Sequence, residues 1–444
     1  MKNDKVYDAC VIGAGASGLV AGAELAKRGM DTLIIEQNRK SGRKLYATGN
    51  GRCNIANAVI SDSAYYYDGF ATQVVTEGSL LLLRRYLAQL GIPLTEKNGY
   101  CYPQSLQASS VVWALTDHAR LSGAEFLYDS EVVHVDRTAE GAFRLYLRST
   151  RSKDGDGKTA EKNDVVGKNN SFQKENDTAF DDSDESIEII RCNRLVLAMG
   201  SSAAKELGAG KDEIITGIIE DLRLPYIDFE PALCPLVVSE DVSSLAGVRT
   251  HVKLRVGLSM DRPELGERLT EEGELQLTEY GLSGIAVFNL STLIDAGEKI
   301  SIDVLPLWEN AEDVAEFLGK QNPDRRIFGA MNGLLHEKLC RFFLCSVLGE
   351  GKEKEKLSTF SDDELLTLIR EMKDWRLTVS GKKGDMGQAR RGGVSTEILS
   401  PDTFQVRRDP RLAVTGELCN VTGRCGGYNL MFALISGIRA GQRL

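Results

Sequence analysis

Histidine is scarce, with four residues in 444. They lie far apart, so no metal centre is expected. The nine cysteines are odd in number and contain no Cys-x-x-Cys pair. Neither a disulfide framework nor a zinc site is expected from such spacing, and a reducing cytoplasm fits it. No run of 18 apolar residues occurs, so no spanning helix and no membrane partner are expected. The opening MKNDKVYDACVIGAG lacks a charged-then-apolar leader, which argues against secretion. Positive charge is in deficit as well. Lys and Arg number 54 against 64 Asp and Glu, for a net charge of −10. With no basic stripe, nucleic acid is not expected as a partner.

What is present is a soluble globular composition, 42% hydrophobic, in a chain too long for one simple core. VYDACVIGAG is a continuous apolar run ending in glycine, as a buried parallel strand would be. SGLVAGAELAKRG has helical spacing and stops at Gly29. DTLIIEQN reads as the next strand, completing a βαβ unit. The sequence predicts helices over 77–90 and over SSVVWALTDHARLSG, the latter capped by Ser109 or Ser110. Strands are predicted over AEFLYDSEVVHVDR, AFRLYLRS and SIEIIRCNRLVLAMG. Between the last two, residues 151–187 are polar and read as a long hairpin insertion. Strand patterns dominate about 225–306, helical ones 309–372, and strands return from 375, including GGVSTEIL. The predicted fold class is α/β. A two-part Rossmann-like domain (1–205 and 401–444) holds an inserted β-barrel-like domain (206–308 and 373–400), which carries a helical insertion (309–372).

Gly13-Ala14-Gly15-Ala16-Ser17-Gly18 is a GxGxxG placed after a strand and opening a helix. The first glycine permits the tight turn, the second a close pyrophosphate, the third close helix–strand packing. Glu36, after the second strand, suits ribose hydroxyls and would repel a 2′-phosphate. The unit alone does not separate NAD from FAD. The next stretch, SGRKLYATGNGRCN, is a Gly/Arg/Lys-rich loop where a dehydrogenase would have another crossover helix. Near the far end, VTGELCN carries Gly416-Glu417 at a strand end, and CGGYNLMFALISGIRAG opens a helix on two glycines. Two glycine loops with two acids describe FAD better than NAD. No second GxGxxG exists for a dedicated NAD domain.

The segments VIGAGASGL, GRKLYATGNGRCN, CYPQSLQASSVV, LVLAMG, TEYGLSGIAVFNLS, ARRGGVSTEI and GELCNVTGRCGGYNLMFALISG together resemble a bacterial family of FAD-dependent, NAD(P)-linked flavoproteins, aminoacetone-oxidase-like, over nearly the full length. Some members of the family reduce 3-oxo bile acids. The resemblance implies FAD contacts at Gly13, Gly15, Ala16, Ser17, Gly18, Glu36, Gln37, Lys44, Gly49, Arg52, Cys53, Asn54 and Val133. It implies further contacts at Ala198, Gly200, Gly416, Glu417, Gly427, Asn429 and Leu430. It also implies NADH as electron donor and an apolar enone as substrate, such as a 3-oxo-Δ4 or Δ4,6 steroid. Tyr102, Arg391 and Tyr428 are the candidates to polarise the ketone or supply the proton. The alternatives are a flavin oxidase of an amine or small metabolite, and a non-catalytic flavin-binding or RNA-associated protein. Ala198-Met199-Gly200-Ser201 and Ala389-Arg390-Arg391 depart from the family pattern where substrate would be met.

Gly-Arg-Cys occurs twice, in GNGRCN and in GRCGGYN. Both loops are expected to close on one flavin. Arg52, and less so Arg424, would place a fixed cation on it. Cys53 and Cys425 are either a redox pair or, more simply, small residues in tight loops.

Overall fold

A computed structural model describes residues 5–66, 69–150, 187–203, 205–256 and 269–444. The chain opens with β1 (Val6–Ile12), α1 (Ala16–Lys27), β2 (Thr32–Ile35) and α2 (Arg43–Ala47). There follow β3 (Ala56–Asn57), β4 (Tyr65–Tyr66), α3 (Gly69–Val74), α4 (Glu77–Gln89), β5 (Leu94–Lys97) and β6 (Tyr100–Pro103). Next are α5 (Ala108–Leu121), β7 (Glu125–Leu127), β8 (Ser130–Arg137), β9 (Phe143–Ser149) and β10 (Ile187–Leu197). The middle of the chain holds α6 (Asp212–Asp221), β11 (Tyr226–Ala232), β12 (Leu236–Val238), β13 (Arg249–Val256), β14 (Thr270–Thr278), β15 (Gly281–Ser283), α7 (Ile285–Ser291) and β16 (Lys299–Asp303). Helices α8 (Ala311–Gly319), α9 (Ile327–Met331), α10 (Glu337–Phe343) and α11 (Asp362–Lys373) lead to β17 (Trp375–Lys382) and β18 (Ala389–Val394). The last elements are β19 (Gln405–Val406), β20 (Asp409–Val414), β21 (Thr422–Gly423) and α12 (Tyr428–Arg443).

The main sheet runs β19-β20-β10-β1-β2-β7. Its inner pairs are parallel, so both faces are covered and β1 reads as an unbroken apolar run. Helices α1 and α12 lie together on the sheet. Their backbones touch, since a Cβ on Gly437 would sit 2.2 Å from the Ser17 carbonyl oxygen. Strands β9 and β10 pair antiparallel, Arg148 opposite Ile187. The expected hairpin insertion between them lies outside the described residues.

The second body is a closed six-strand barrel in the order β12-β15-β14-β13-β16-β17. Alternation serves it well: in β13 the inward Val252, Leu254 and Val256 are buried while His251 and Arg255 are exposed. Helices α8–α11 intervene between β16 and β17 and share one apolar core with the barrel interior. The α/β fold class with a barrel insertion is therefore the observed one.

Two local expectations need correction. Helix α5 begins at Ala108, with extended Gln107 as N-cap and no side-chain cap bond. Ser109 and Ser110 therefore fall inside the first turn and cap nothing. The GGVSTEIL strand stops at Val394, and Thr396–Ile398 forms a short 3-10 turn.

Candidate functional site

The ends of β1, β2, β10 and β20 meet at the first glycine loop. Gly13 adopts φ 103° and donates to the Ile35 carbonyl at 2.8 Å. A Cβ there would lie 2.5 Å from the Ala198 carbonyl oxygen, so the turn admits only glycine. Gly15, the N-cap of α1, is the opposite case: nothing lies within 4 Å of where its Cβ would be. Ala16 and Ser17 begin the helix there, and Gly18 would collide with the Gly13 carbonyl, 1.9 Å away. The open side of a helix N-terminus with unpaired N–H groups suits an anionic group.

Glu36 is nearly buried and already engaged. One oxygen accepts from the Ala14 amide at 2.8 Å. The other accepts from the Asn38 backbone at 2.9 Å and side chain at 2.6 Å. It fastens the glycine turn to the end of β2. Gln37 turns to the Gly208 carbonyl, 2.7 Å away. Val133 sits at a bulge in β8, between paired Val132 and His134.

Glu417 is the hub of the second half. Lys44 Nζ lies 3.1 Å from one carboxylate oxygen and donates to the Ser201 carbonyl at 2.7 Å. The Arg390 amide donates to the other oxygen at 3.3 Å. Gly200, at φ 70°, would place a Cβ 3.8 Å from both Lys44 and Glu417. Gly416 donates to Ser436 Oγ at 3.0 Å, which ties this turn to α12. Among the described residues, Ser202 Oγ and Arg390 Nε, in residues next to or bonded to the hub, and Asn54 Oδ1, in the first Gly-Arg-Cys loop, are buried without hydrogen-bond partners. Unmet donors and acceptors beside an open helix N-terminus, a lysine and a carboxylate fit an extended, part-anionic dinucleotide such as FAD.

The second Gly-Arg-Cys loop packs on β3, the strand that follows the first. A Cβ on Gly427 (φ 98°) would lie 2.6 Å from the Ala56 carbonyl oxygen, and the Asn57 side chain donates to the Gly426 carbonyl at 3.0 Å. Strand β6 flanks both. Its alternation puts Tyr100 and Tyr102 on one face and buried Cys101 on the other. Tyr102 Cε1 is 3.5 Å from the Cβ position of Gly49, and Tyr100 Cε1 is 3.0 Å from that of Gly426. Neither hydroxyl has a hydrogen bond among the described residues. Burial, helped by Tyr102 and Cys425 and opposed by Arg424, lifts the Tyr100 phenol above its ordinary pKa.

The other two candidates are held differently. The Tyr428 hydroxyl donates to the Val59 carbonyl at 2.8 Å. Arg391 donates through Nε to Glu230 at 2.8 Å and through Nη1 to the Thr292 carbonyl at 3.0 Å. Asn429 uses both ends of its amide on Gly423, at 2.7 and 2.9 Å, and Leu430 packs partly buried against the sheet core. Sequence reasoning missed Tyr100, on β6, though the Tyr-x-Tyr alternation signalled it. Arg390, on β18, lies in the Ala389-Arg390-Arg391 stretch already noted, but its backbone bond to Glu417 was not foreseen.

Both loop thiols are protonated at neutral pH. Burial pushes Cys53 up to about 11 and Cys425 to about 12. A reactive thiolate pair needs the opposite environment. Among the described residues no cluster of metal-ligating side chains occurs, and no helix is long and apolar enough to cross a membrane.

Residues 7–157 match the Rossmann domain of HI0933-like proteins, and 230–385 match their barrel and H2TH domain. The 3-dehydro-bile acid delta(4,6)-reductase of Clostridium scindens is 30% identical over 97% of this chain and 97% of its own. The ribosomal RNA dihydrouridine synthase of Escherichia coli is 28% identical over 99% and 98%. Among solved structures, a 3-ketosteroid-delta4-(5alpha)-dehydrogenase from Rhodococcus jostii aligns with a TM-score of 0.46 at 14% identity, covering 99% of this chain and 96% of that one.

Proposed function

Because this chain belongs to the HI0933-like family of FAD-binding Rossmann flavoproteins, we propose that it reduces a carbon–carbon double bond conjugated to a carbonyl, with NADH as electron donor. One observation carries the reading. Relatives that match over nearly the whole length are named for different substrates but one bond chemistry. A 3-oxo-Δ4,6 bile acid and the uracil ring both hold a C=C conjugated to C=O. The first substrate class we assign is the 3-oxo steroid or bile acid, following the relative with 30% identity.

When bound, FAD supplies two-electron chemistry that links NADH to the substrate carbon. This chain's residues do the rest. The Gly15 end of α1, Lys44 and Arg52 receive the anionic part of the cofactor. Glu36 and Glu417 hold its sugar and ribityl hydroxyls. Saturating the double bond requires a proton at the α-carbon. Tyr102 and Tyr100 carry the uncommitted hydroxyls beside the two loops, and we assign proton delivery to Tyr102, whose ring borders Gly49. Tyr428 and Arg391 do not keep that role, because each is engaged by protein partners.

The 28% identity to an rRNA dihydrouridine synthase favours a second reading, in which the reduced base is a uridine in RNA. Anaerobic visible spectroscopy of the FAD-loaded protein separates the two. NADH should bleach the flavin band, and a 3-oxo-Δ4 bile acid should restore it. Recovery only with a uridine-containing rRNA fragment transfers the assignment to the second reading. Recovery with neither removes both substrates, and a flavin indifferent to NADH removes the donor.

A further inference from the structure

Four arginines that the cofactor site does not use converge on one concavity at the other end of the sheet. Arg137 closes β8, Arg223 follows α6, and Arg408 and Arg411 belong to the β19–β20 hairpin. With Asp409 and four apolar side chains they line a cavity of about 330 Å³. Asp409 is the single acid among the lining residues. Four arginines less one aspartate leave three positive charges, in a chain whose net charge is −10.

The cations are fixed more than they are neutralised. Asp409 pairs with Arg137, which also donates to the Gly141 carbonyl at 2.9 Å. That leaves Arg411 Nε at 3.8 Å from the other Asp409 oxygen. Arg408 is aimed by the backbone carbonyls of Leu222, at 3.2 Å, and Arg223. The Arg223 guanidinium has no hydrogen bond or ion pair among the described residues. Its backbone stands at φ 53°, just past the end of α6, where glycine is the usual occupant. Burial and the neighbouring Arg411 charge both depress the pKa of Arg137.

Guanidinium groups beside apolar side chains in one cavity match the oxygens of phosphate groups. A single cavity of about 330 Å³ suits a compact ligand better than a nucleic-acid backbone. The site is distinct from the cofactor loops. Arg411 stands near the start of β20, and five residues of chain, roughly 15 Å, separate it from Gly416. We propose that this cavity binds the phosphates of a small phosphorylated ligand, such as a nucleoside diphosphate.

The test is calorimetric titration of the FAD-saturated full chain with inorganic pyrophosphate at constant ionic strength. Saturating the FAD site first removes it as a competing pyrophosphate site. The expected result is one site per chain, weakened at least tenfold in the Arg223→Gln/Arg411→Gln double variant, with an unchanged flavin spectrum. Arg411→Gln alone, at an exposed position, should weaken binding about threefold and serves if the double variant misfolds. Absence of binding to the wild type overturns the proposal, as does equal binding by the variants. An RNA fragment that binds through these arginines while pyrophosphate does not would also overturn it.

Discussion

The tripeptide Gly-Arg-Cys does two different jobs in the two places it occurs. In the first loop Arg52 is exposed and has no ion pair or hydrogen bond from its side chain among the described residues. In the second loop Arg424 is joined to Glu271, a carboxylate on barrel strand β14 with only 5% of its side chain exposed. Asn289 completes that arrangement, donating to Glu271 at 3.1 Å and accepting from the Cys425 amide at 2.9 Å. One loop therefore leaves its cation free for a ligand, and the other uses it to couple the Rossmann body to the barrel. The tripeptide supplies the chemistry in each case, and the neighbour decides what the chemistry is for.

The sharpest way to break this comparison is to remove each arginine. Arg424→Ala strands the buried Glu271 charge and should lower stability by about 3 kcal/mol, read by chemical denaturation. Arg52→Ala should change stability by less than about 0.5 kcal/mol. Equal losses would erase the distinction. Arg424→Ala/Glu271→Gln should regain much of the loss, because the stranded charge is gone.

The tyrosines test which loop faces the chemistry. Tyr102→Phe should lower kcat about a hundredfold with stability nearly unchanged. Tyr428→Phe removes the bond to Val59, so it should cost about 1 kcal/mol of stability and leave kcat near the wild-type value. A reversed pattern would return the proton donor to the second loop.

Arg52 itself should matter to the cofactor. Arg52→Ala should weaken FAD binding about tenfold, which corresponds to about 1.4 kcal/mol, measured by fluorescence titration of the apoprotein.

The smallest effect concerns pH. Burial raises the Glu271 pKa, while Arg424 and Asn289 pull it back. A raised carboxyl pKa means that the folded state binds the proton more readily than the unfolded state. The associated stability is present below the ordinary glutamate pKa and is lost as pH rises through the folded value. Removing Arg424 raises that folded value further. The stability gap between wild type and Arg424→Ala should therefore narrow as pH falls from 7 toward 5, as followed by denaturation at each pH.

Legibility in the sequence followed distance along the chain. Gly13, Gly15, Gly18 and Glu36 lie within one βαβ unit, and local rules of turn and strand place them together. The barrel strands were readable singly from their alternation. Their closure depends on β12 pairing with β17, across more than a hundred residues that no local pattern connects. Tyr100 was within reach, since YCYP shows one alternation, but only the approach of Gly426 gives that tyrosine a place in the site. The partners of Arg424, Arg391 and Tyr428 were beyond reach, because they come from elements far away in sequence. The arginine cavity is the extreme case. Its residues are drawn from three separate parts of the chain, so a net negative sequence with no basic stripe concealed a locally positive hollow.

The contact between α1 and α12 has a consequence for synthesis. Gly437 lets the second helix rest on the backbone of the first at Ser17, at the threshold of the cofactor loop. A nascent chain thus carries α1 with one flank uncovered while the whole barrel is translated. Until residues 428–443 are made, that flank of α1 lacks the cover that α12 gives it. A premature stop anywhere in the barrel leaves a chain with the complete GxGxxG motif and without the helix that packs on α1.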